Sequence, residues 1–244
     1  MGDPLPIGAP APARLRLTPP PAPVPARARL SSDELRTEQE RTLAAPRRRY
    51  GPLARALFSA MDQLYGPERT LSKFKVLEVI ARVPYQAWER IGYLAITHRY
   101  SRPSFARRIF ERVEESRLQQ DNEQWHLLIL EELVWATGRR ENFFRFRVIP
   151  QAIALTYHAV SGVLYVLHPA SSYSLNADFE DHAEHEYALF AAENPSLAGM
   201  PYDGMFAEDY GRFDSLADLF RQIGFDERMH KEESLARRSE ARFR

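Results

Sequence analysis

The amino-acid sequence predicts an all-α fold with one folded domain, and three observations predict it. From about residue 50 onward, apolar residues recur at the three- and four-residue intervals of amphipathic helices. Strand-like alternation of apolar and polar residues is scarce over the same range. The chain has 244 residues, of which 44% are hydrophobic, which is enough for one domain with a substantial core but not for two.

The composition excludes several kinds of site. The chain contains no cysteine, which rules out disulfides, thiolate metal sites, iron–sulfur clusters and cysteine nucleophiles. Any metal must therefore be held by oxygen and imidazole ligands. The 33 basic and 33 acidic residues balance, so the charge gives no indication of a nucleic-acid partner, and none is expected.

The first 49 residues differ in composition from the rest of the chain. Ten of the 18 prolines fall within residues 1–46, mixed with alanine and arginine. Such a segment cannot bury enough apolar surface to offset the entropy of ordering it, so residues 1–49 are expected to be a disordered tail. A targeting peptide is the alternative, because the segment is rich in arginine, and residues 32–43 could form a short helix. The helical domain is expected at residues 50–238, followed by a tail at 239–244.

Apolar spacing places the helices in the domain. The first covers residues 52–64, and the residues on its apolar face are Leu53, Leu57, Phe58, Met61 and Leu64. The others are predicted at residues 72–98, 103–135, 145–167, 174–193 and 215–238.

Two of these helices are candidates for contact with a membrane surface. The helix at residues 52–64 follows three arginines at 47–49, which suits an anionic lipid surface, although an ordinary core-packed helix is an equal alternative. Residues 148–167 are the most apolar stretch, but Pro150, Gln151, His158 and Ser161 interrupt it. A central bundle helix, or one lying partly in a membrane surface, fits that stretch better than a membrane span.

Six acidic and histidine residues repeat in a mirrored order. Glu123 and His126 form one Glu-x-x-His motif, and Glu227 and His230 form another. A lone glutamate precedes each motif by a similar interval: Glu78 by 45 residues and Glu180 by 47. This order is the ligand set of ferritin-like carboxylate bundles, in which two helices each give one Glu and two give Glu-x-x-His. The sequence therefore predicts a ferritin-like four-helix bundle that holds two metal ions.

Each Glu-x-x-His motif follows a residue that could support the ligands. Asn122 and Asp226 can each hydrogen-bond a ligand imidazole on the facing helix and so fix its tautomer. Oxygen and imidazole ligands do not choose between iron and manganese. At this level peroxide disproportionation, hydroxylation and quinol oxidation all remain open.

At these motifs the sequence resembles the plastid terminal oxidases, the plastoquinol branch of the alternative oxidase family. The resemblance covers about residues 53–233, and its most specific stretches are residues 76–85, 122–133, 180–187 and 226–230. The chain lacks the longer insertion that plant members carry between the third and fourth stretches, which indicates a cyanobacterial or algal type. The proline-rich tail matches nothing in the family.

The resemblance implies a reaction and roles for named residues. It implies that two quinols, plastoquinol or ubiquinol, are oxidised by one O₂ to two quinones and two waters, without proton pumping. It implies two carboxylate-bridged irons, a redox-active tyrosine at Tyr187, and quinol contacts at Leu77 and His182. The residues that match the family's iron ligands are Glu78, Glu123, His126, Glu180, Glu227 and His230. Without the resemblance, Tyr187 would be read as a packing aromatic.

The resemblance also implies a location and partners. Members resembling this chain are monotopic, with the helices at 52–64 and 148–167 dipping into one leaflet, here of a thylakoid membrane. The expected partners are a membrane quinol, O₂ and the bilayer surface, and a homodimer is left open. The alternatives are another di-iron or di-manganese enzyme, such as a hydroxylase or a peroxide-handling protein, and a non-catalytic helical protein at a membrane surface.

Overall fold

A computed structural model describes residues 29–241, and its compact unit starts at Ser31. This described part is helical, without strands, and contains one isolated bridge between Tyr202 and Phe213. The predicted all-α class is therefore confirmed. Its α-helices are α1 (Ser32–Ala44), α2 (Pro52–Tyr65), α3 (Leu71–Ala81), α4 (Val83–Arg99), α5 (Pro103–Ala136), α6 (Ile149–Leu167), α7 (Pro169–Glu193) and α8 (Leu216–Ser239).

Four of these helices form the bundle around the centre of the molecule. Helices α7 and α8 pack along most of their length, and α3 packs against α5. Helix α4 continues from α3 and packs against α5 and α6. A π-helical turn, Phe144–Val148, leads into α6, and a 3₁₀ turn, Pro195–Gly199, follows α7. The core therefore lies between α3, α5, α7 and α8, which are the helices that carry the mirrored glutamates.

The helix predicted at residues 72–98 is two helices in the structure. Arg82 separates α3 from α4, and Pro84 lies in the first turn of α4. Proline has no backbone N–H and disfavours helical backbone in the residue before it, so the helix is interrupted at this point. Helix α7 also starts five residues earlier than predicted, at Pro169.

The short helix allowed at residues 32–43 is present as α1, and it packs against the domain although it falls within the segment expected to be a tail. Ser31 caps it: the Ser31 hydroxyl accepts from the Glu34 N–H, and the Glu34 carboxylate accepts from the Ser31 N–H. Leu35 is only 1% exposed. Arg228 of α8 donates to the carbonyl oxygen of Glu38 at 2.8 Å and so ties α1 to the bundle. Residues 1–28, where the rest of the expected tail falls, and 242–244 lie outside the described residues.

Helices α2 and α6 each present an apolar outer face. On α6, Ala154, Tyr157 and Ser161 are buried against the bundle, whereas Leu155 and Val163 are exposed. Among the described helices, Phe144–Leu167 alone is long and apolar enough to cross a membrane by length and composition, and 22% of its apolar window is buried.

Candidate metal centre

The six residues of the mirrored pattern meet in the middle of the bundle. Helix α3 supplies Glu78 and α7 supplies Glu180, while α5 and α8 each supply a glutamate and, one turn later, a histidine. Residues three apart on a helix lie on the same face, so each Glu-x-x-His pair points inward together. All six side chains are buried, and the four glutamates are 0% exposed.

The ligand atoms form two overlapping sets of four. One set contains Glu78, Glu123, His126 and Glu227, and the other contains Glu123, Glu180, Glu227 and His230. Within each set the atoms lie within 4.8 Å of one another. Glu123 and Glu227 belong to both sets, which is the arrangement of two carboxylates that bridge two metal ions, with one lone glutamate and one histidine at each end.

Both imidazoles turn the same ring nitrogen toward the centre. His126 Nδ1 lies 3.1 Å from Glu227 Oε1 and 3.6 Å from Glu78 Oε2. His230 Nδ1 lies 2.6 Å from Glu123 Oε1 and 3.6 Å from Glu227 Oε2. His126 Nδ1 also lies 3.7 Å from Glu123 Oε2, so each imidazole faces carboxylates from both Glu-x-x-His helices.

Most of these inward atoms have no hydrogen-bond partner among the described residues. The unpartnered buried atoms include both carboxylate oxygens of Glu123 and Glu227, one oxygen each of Glu78 and Glu180, and Nδ1 of His126 and His230. Buried polar atoms without partners are costly and rare in folded proteins. Eight such atoms converging on one point fit two divalent cations, so the residues present fit the metal pair that the pattern predicts.

The pKa shifts of the candidate ligands also indicate a site with excess negative charge. Burial, then the charges of Glu227 and Glu123, raises the pKa of Glu78 well above its ordinary value. Burial, then Glu123 and Glu227, does the same to Glu180. Burial alone would lower the pKa of His230, but Glu123 and Glu227 raise it to about 9. Two divalent cations would supply the charge that protons supply in the metal-free site, and their binding releases those protons.

Tyr187 lies beside the centre, as expected. Its hydroxyl donates to Glu78 Oε1, and its ring stacks on Phe74 with centroids 4.4 Å apart. Burial, then the charge of Glu78, raises the pKa of Tyr187 well above its ordinary value, so the hydroxyl keeps its proton.

Asp226 contacts the His126 ring nitrogen that faces away from the centre. Asp226 Oδ2 lies 3.3 Å from His126 Nε2, on the facing helix as expected, and accepts from the Tyr210 hydroxyl at 2.9 Å. Asn122 differs from the expectation: its Nδ2 donates to Asp226 at 3.0 Å and lies 2.9 Å from His126, on its own helix, rather than contacting the facing His230. Gln222 donates to Asp226 Oδ1 at 3.0 Å. With Nε2 held by this carboxylate, Nδ1 of His126 is left for a metal.

Two tyrosines of the centre were not expected from the sequence. Tyr210 lies in the irregular segment before α8, where no periodicity indicates a role for it. Tyr85, which is fully buried, donates to Glu180 Oε1 at 2.6 Å. A signal for Tyr85 does exist, because it follows Glu78 by seven residues, the interval that separates Glu180 from Tyr187.

A third acidic cluster on α7 is already neutralised. Asp181 and Glu184 both accept from Lys231, and Glu184 also accepts from Arg228 Nε at 2.9 Å. His185 Nδ1 lies 2.8 Å from the backbone carbonyl of Asp181. These groups tie α7 to α8 and to α1, and their charges need no metal.

An inner cavity adjoins the centre, and both expected quinol-contact residues line it. Leu77, His182, Phe74 and Phe58 lie on its wall, and its volume is about 20 Å³. Phe58 and His182 stack with ring centroids 3.9 Å apart and also line an open cleft of about 550 Å³ on the outer side. The stacked pair therefore separates the outer cleft from the cavity, and a ring the size of a quinol enters only if these side chains shift.

The sequence pattern of the family described as "Alternative oxidase" matches residues 52–236, most of the chain and all six candidate ligands. The chain belongs to the alternative oxidase family. It is also 35% identical over 150 residues to "Ubiquinol oxidase 4, chloroplastic/chromoplastic" of Arabidopsis thaliana. That alignment covers 61% of this chain and 39% of the relative, so the chain spans about two fifths of the relative's length.

These comparisons confirm the family and its plastid branch as predicted from the four motifs. The helical bundle with a buried glutamate–histidine cluster is the fold expected of an alternative oxidase. The cyanobacterial or algal type stays a prediction.

Removing one bridging carboxylate should abolish metal binding. Purified wild-type protein from iron-replete cells should carry about two irons per chain, whereas Glu227→Ala, which takes one ligand from both sets, should carry fewer than about 0.2. Elemental analysis of both proteins measures this. Glu114→Ala, at an exposed position on α5, is the control and should keep the wild-type metal content. A fully loaded Glu227→Ala protein would contradict the ligand assignment.

Proposed function

We propose that the protein is a di-iron quinol oxidase. It oxidises two quinols, plastoquinol or ubiquinol, for each O₂, giving two quinones and two waters without pumping protons. The observation that carries this is the pair of overlapping four-ligand sets buried in a chain of the alternative oxidase family. The relative's name, a ubiquinol oxidase, supports the reductant.

The two sets of residues would hold one iron each. Glu78, Glu123, His126 and Glu227 would hold the first, and Glu123, Glu180, Glu227 and His230 the second. When bound, two neighbouring irons exchange electrons in pairs, which the four-electron reduction of O₂ requires. The family supports iron rather than manganese. The protein's own contribution is a dry cavity with fixed ligands.

Tyr187 lies between the inner cavity and the candidate ligands. Its ring stacks on Phe74, which lines the cavity, and its hydroxyl contacts Glu78. We propose that Tyr187 is the redox-active tyrosine of this site. Its position supports this role, because its ring stacks on a residue of the cavity wall and its hydroxyl donates to a candidate ligand.

Tyr187→Phe should lower the quinol oxidase rate about 10- to 100-fold while the iron content stays near two per chain. The variant loses only the hydroxyl that contacts Glu78 and keeps all six candidate ligands. Oxygen uptake with a soluble quinol, insensitive to cyanide and blocked by gallate-type inhibitors, measures the reaction. Tyr65→Phe is the matched control, since that hydroxyl donates to the Arg145 carbonyl instead. No uptake by iron-loaded wild-type protein with any quinol would reject the oxidase function and favour a hydroxylase or peroxide-handling enzyme.

The inner cavity is the proposed site for the quinol ring. Leu77 precedes a candidate ligand and His182 closes the cavity toward the outer cleft, which supports both as quinol contacts. The rest of the wall combines Phe58, Met61 and Phe74 with the polar residues Arg69, Thr70, Lys73 and Glu186, so the ring would meet aromatic surface beside charged groups.

His182→Ala should raise the quinol KM about tenfold and leave kcat within about twofold, because the ring loses one aromatic wall but the centre is unchanged. Steady-state oxygen uptake against quinol concentration separates the two constants. Ser59→Ala, which changes the lining of the outer cleft and removes one exposed hydrogen bond to Gln63, is the control. An unchanged KM for His182→Ala would place the quinol elsewhere.

The apolar outer face of α2 and α6 is the proposed membrane contact. A groove of about 380 Å³ between the two helices is lined by Leu53, Leu57, Ile153 and Val160, among others. Because one side of α6 is buried against the bundle, the helix offers lipid only its other side, which supports a monotopic arrangement rather than a span. Arg55 and the arginines at 47–49 would suit anionic headgroups. The relative's chloroplastic name supports a thylakoid location.

Charge on this face should release the protein from membranes. The double variant Leu155→Glu, Val163→Glu should bind anionic vesicles about tenfold or more weakly, since two exposed apolar side chains no longer enter the lipid. Vesicle sedimentation measures the bound fraction. Met205→Glu, also highly exposed but not on α2 or α6, should bind like the wild type. Equal binding by the double variant would exclude this face.

A further inference from the structure

Each half of the centre contains a tyrosine at the same sequence interval from its lone glutamate. Tyr85 follows Glu78 by seven residues and Tyr187 follows Glu180 by seven. Seven residues are about two helical turns, so each tyrosine returns to the side of the bundle that its glutamate faces. The break at Arg82 does not change this in the first half, because Tyr85 is still fully buried.

The two tyrosines bond across the bundle, each to the glutamate of the other half. Tyr187 donates to Glu78 Oε1, and Tyr85 donates to Glu180 Oε1 at 2.6 Å. In both lone glutamates Oε2 is left without a partner among the described residues. The glutamates of the Glu-x-x-His motifs differ, since both oxygens of Glu123 and of Glu227 are unpartnered.

This difference matches the two ways in which a carboxylate can bind metal. A bridging carboxylate uses both oxygens, one on each ion, whereas a terminal carboxylate can bind through one oxygen only. A hydrogen bond to the second oxygen of a terminal ligand fixes its orientation and competes with bidentate binding. The hydroxyl groups of Tyr85 and Tyr187 occupy the second oxygen of the two terminal glutamates and of neither bridging one.

We propose that Tyr85 is a positioning residue that keeps Glu180 a one-oxygen ligand of the metal held with His230, as the counterpart of Tyr187 at Glu78. This inference rests on the proposed two-metal centre. It gives Tyr85 no part in electron transfer, because the inner cavity lies on the other side, at Phe74 and Leu77, and Tyr85 does not line it.

The surroundings of Tyr85 hold its hydroxyl in place. Asn176 Nδ2 donates to the Tyr85 oxygen at 2.9 Å and to Ser234 Oγ at 3.1 Å. Because the oxygen already accepts from Asn176, its own proton is directed to Glu180. The Tyr85 ring meets Trp88 edge-on with centroids 5.3 Å apart, and Trp88 is itself fixed by a 2.9 Å hydrogen bond to Ser172.

Metal binding by Tyr85→Phe tests the inference without relying on turnover. The variant should still fold and bind two irons, but one of the two sites should lose about 10- to 100-fold in affinity, which is typical when a hydrogen bond to a ligand is removed. Titration of the metal-free protein with Fe(II) under anaerobic conditions measures both affinities. Mössbauer spectra of the loaded protein should show one of two iron signals altered, since Glu180 belongs to only one ligand set.

Tyr173→Phe is the matched control. Tyr173 is a buried tyrosine that also packs against Trp88. Its hydroxyl lies 3.4 Å from the Tyr165 hydroxyl and 3.4 Å from Arg112 Nη1, and it contacts no candidate ligand. This variant should keep wild-type affinities and spectra.

The outcomes separate this inference from the proposed function. Wild-type protein that binds no metal overturns both. Wild-type protein with two irons, together with a Tyr85→Phe variant of unchanged affinity and spectrum, overturns the role of Tyr85 alone. If circular dichroism shows that Tyr85→Phe does not fold, Asn176→Ala replaces it, because it keeps the ring and removes the donor that directs the hydroxyl. That variant should alter the same iron signal, and an unaltered signal would overturn the inference.

Discussion

The burial of four carboxylates at one point is the constraint on which the rest of the structure depends. Glu78, Glu123, Glu180 and Glu227 are fully shielded from water, and a buried carboxylate without a counter-charge costs several kcal/mol. Among the described residues, their charged neighbours are histidines, with no lysine or arginine in contact. Two protonated histidines balance at most two of the four carboxylate charges, so bound cations or further protons must supply the rest. Metal binding would then contribute directly to the stability of the bundle.

The acidic side chains of α7 outside the centre, unlike the four buried glutamates, are paired with basic residues. On α7, Asp178 is paired with Arg48, while Asp181 and Glu184 contact Lys231. These pairs join α7 to α8 and to the segment after α1, so the outer acids hold the helices together. These outer acids are neutralised by basic side chains, whereas the four inner carboxylates are not. The same helix thus serves structure on one face and metal binding on the other.

The sequence predicts the parts of the site that repeat and misses those that do not. The six candidate ligands are recognisable because helical spacing fixes their faces and the order of Glu and Glu-x-x-His repeats in both halves. Tyr210 is not recognisable, because it reaches Asp226 from an irregular segment where spacing carries no information. The short helix allowed at residues 32–43 is present as α1, but its packing against the domain is hidden because the prolines of residues 1–25 dominate the average composition of the segment. The contact of Asn122 within its own helix rather than across the bundle depends on side-chain orientation, which spacing alone does not give.

The mirrored ligands lie in unlike surroundings, and elements outside the bundle cause the difference. On the side of Glu78 and Tyr187, Phe58 and Met61 of α2 line a small cavity next to an open cleft, together with Phe74 and Leu77 and the charged residues Arg69, Lys73 and Glu186. On the side of Glu180 and His230, the neighbours are Tyr85, Asn176 and Ser234, which fill the space with hydrogen bonds. Among the described residues, a cavity therefore lies near one end of the centre, and the other end is filled with hydrogen-bonded side chains. The ligand sets alone would make two bound metals equivalent. A difference between them would therefore come from the residues around the ligands. Tyr85 and Tyr187 each donate to a lone glutamate, but only Tyr187 lies beside a cavity residue.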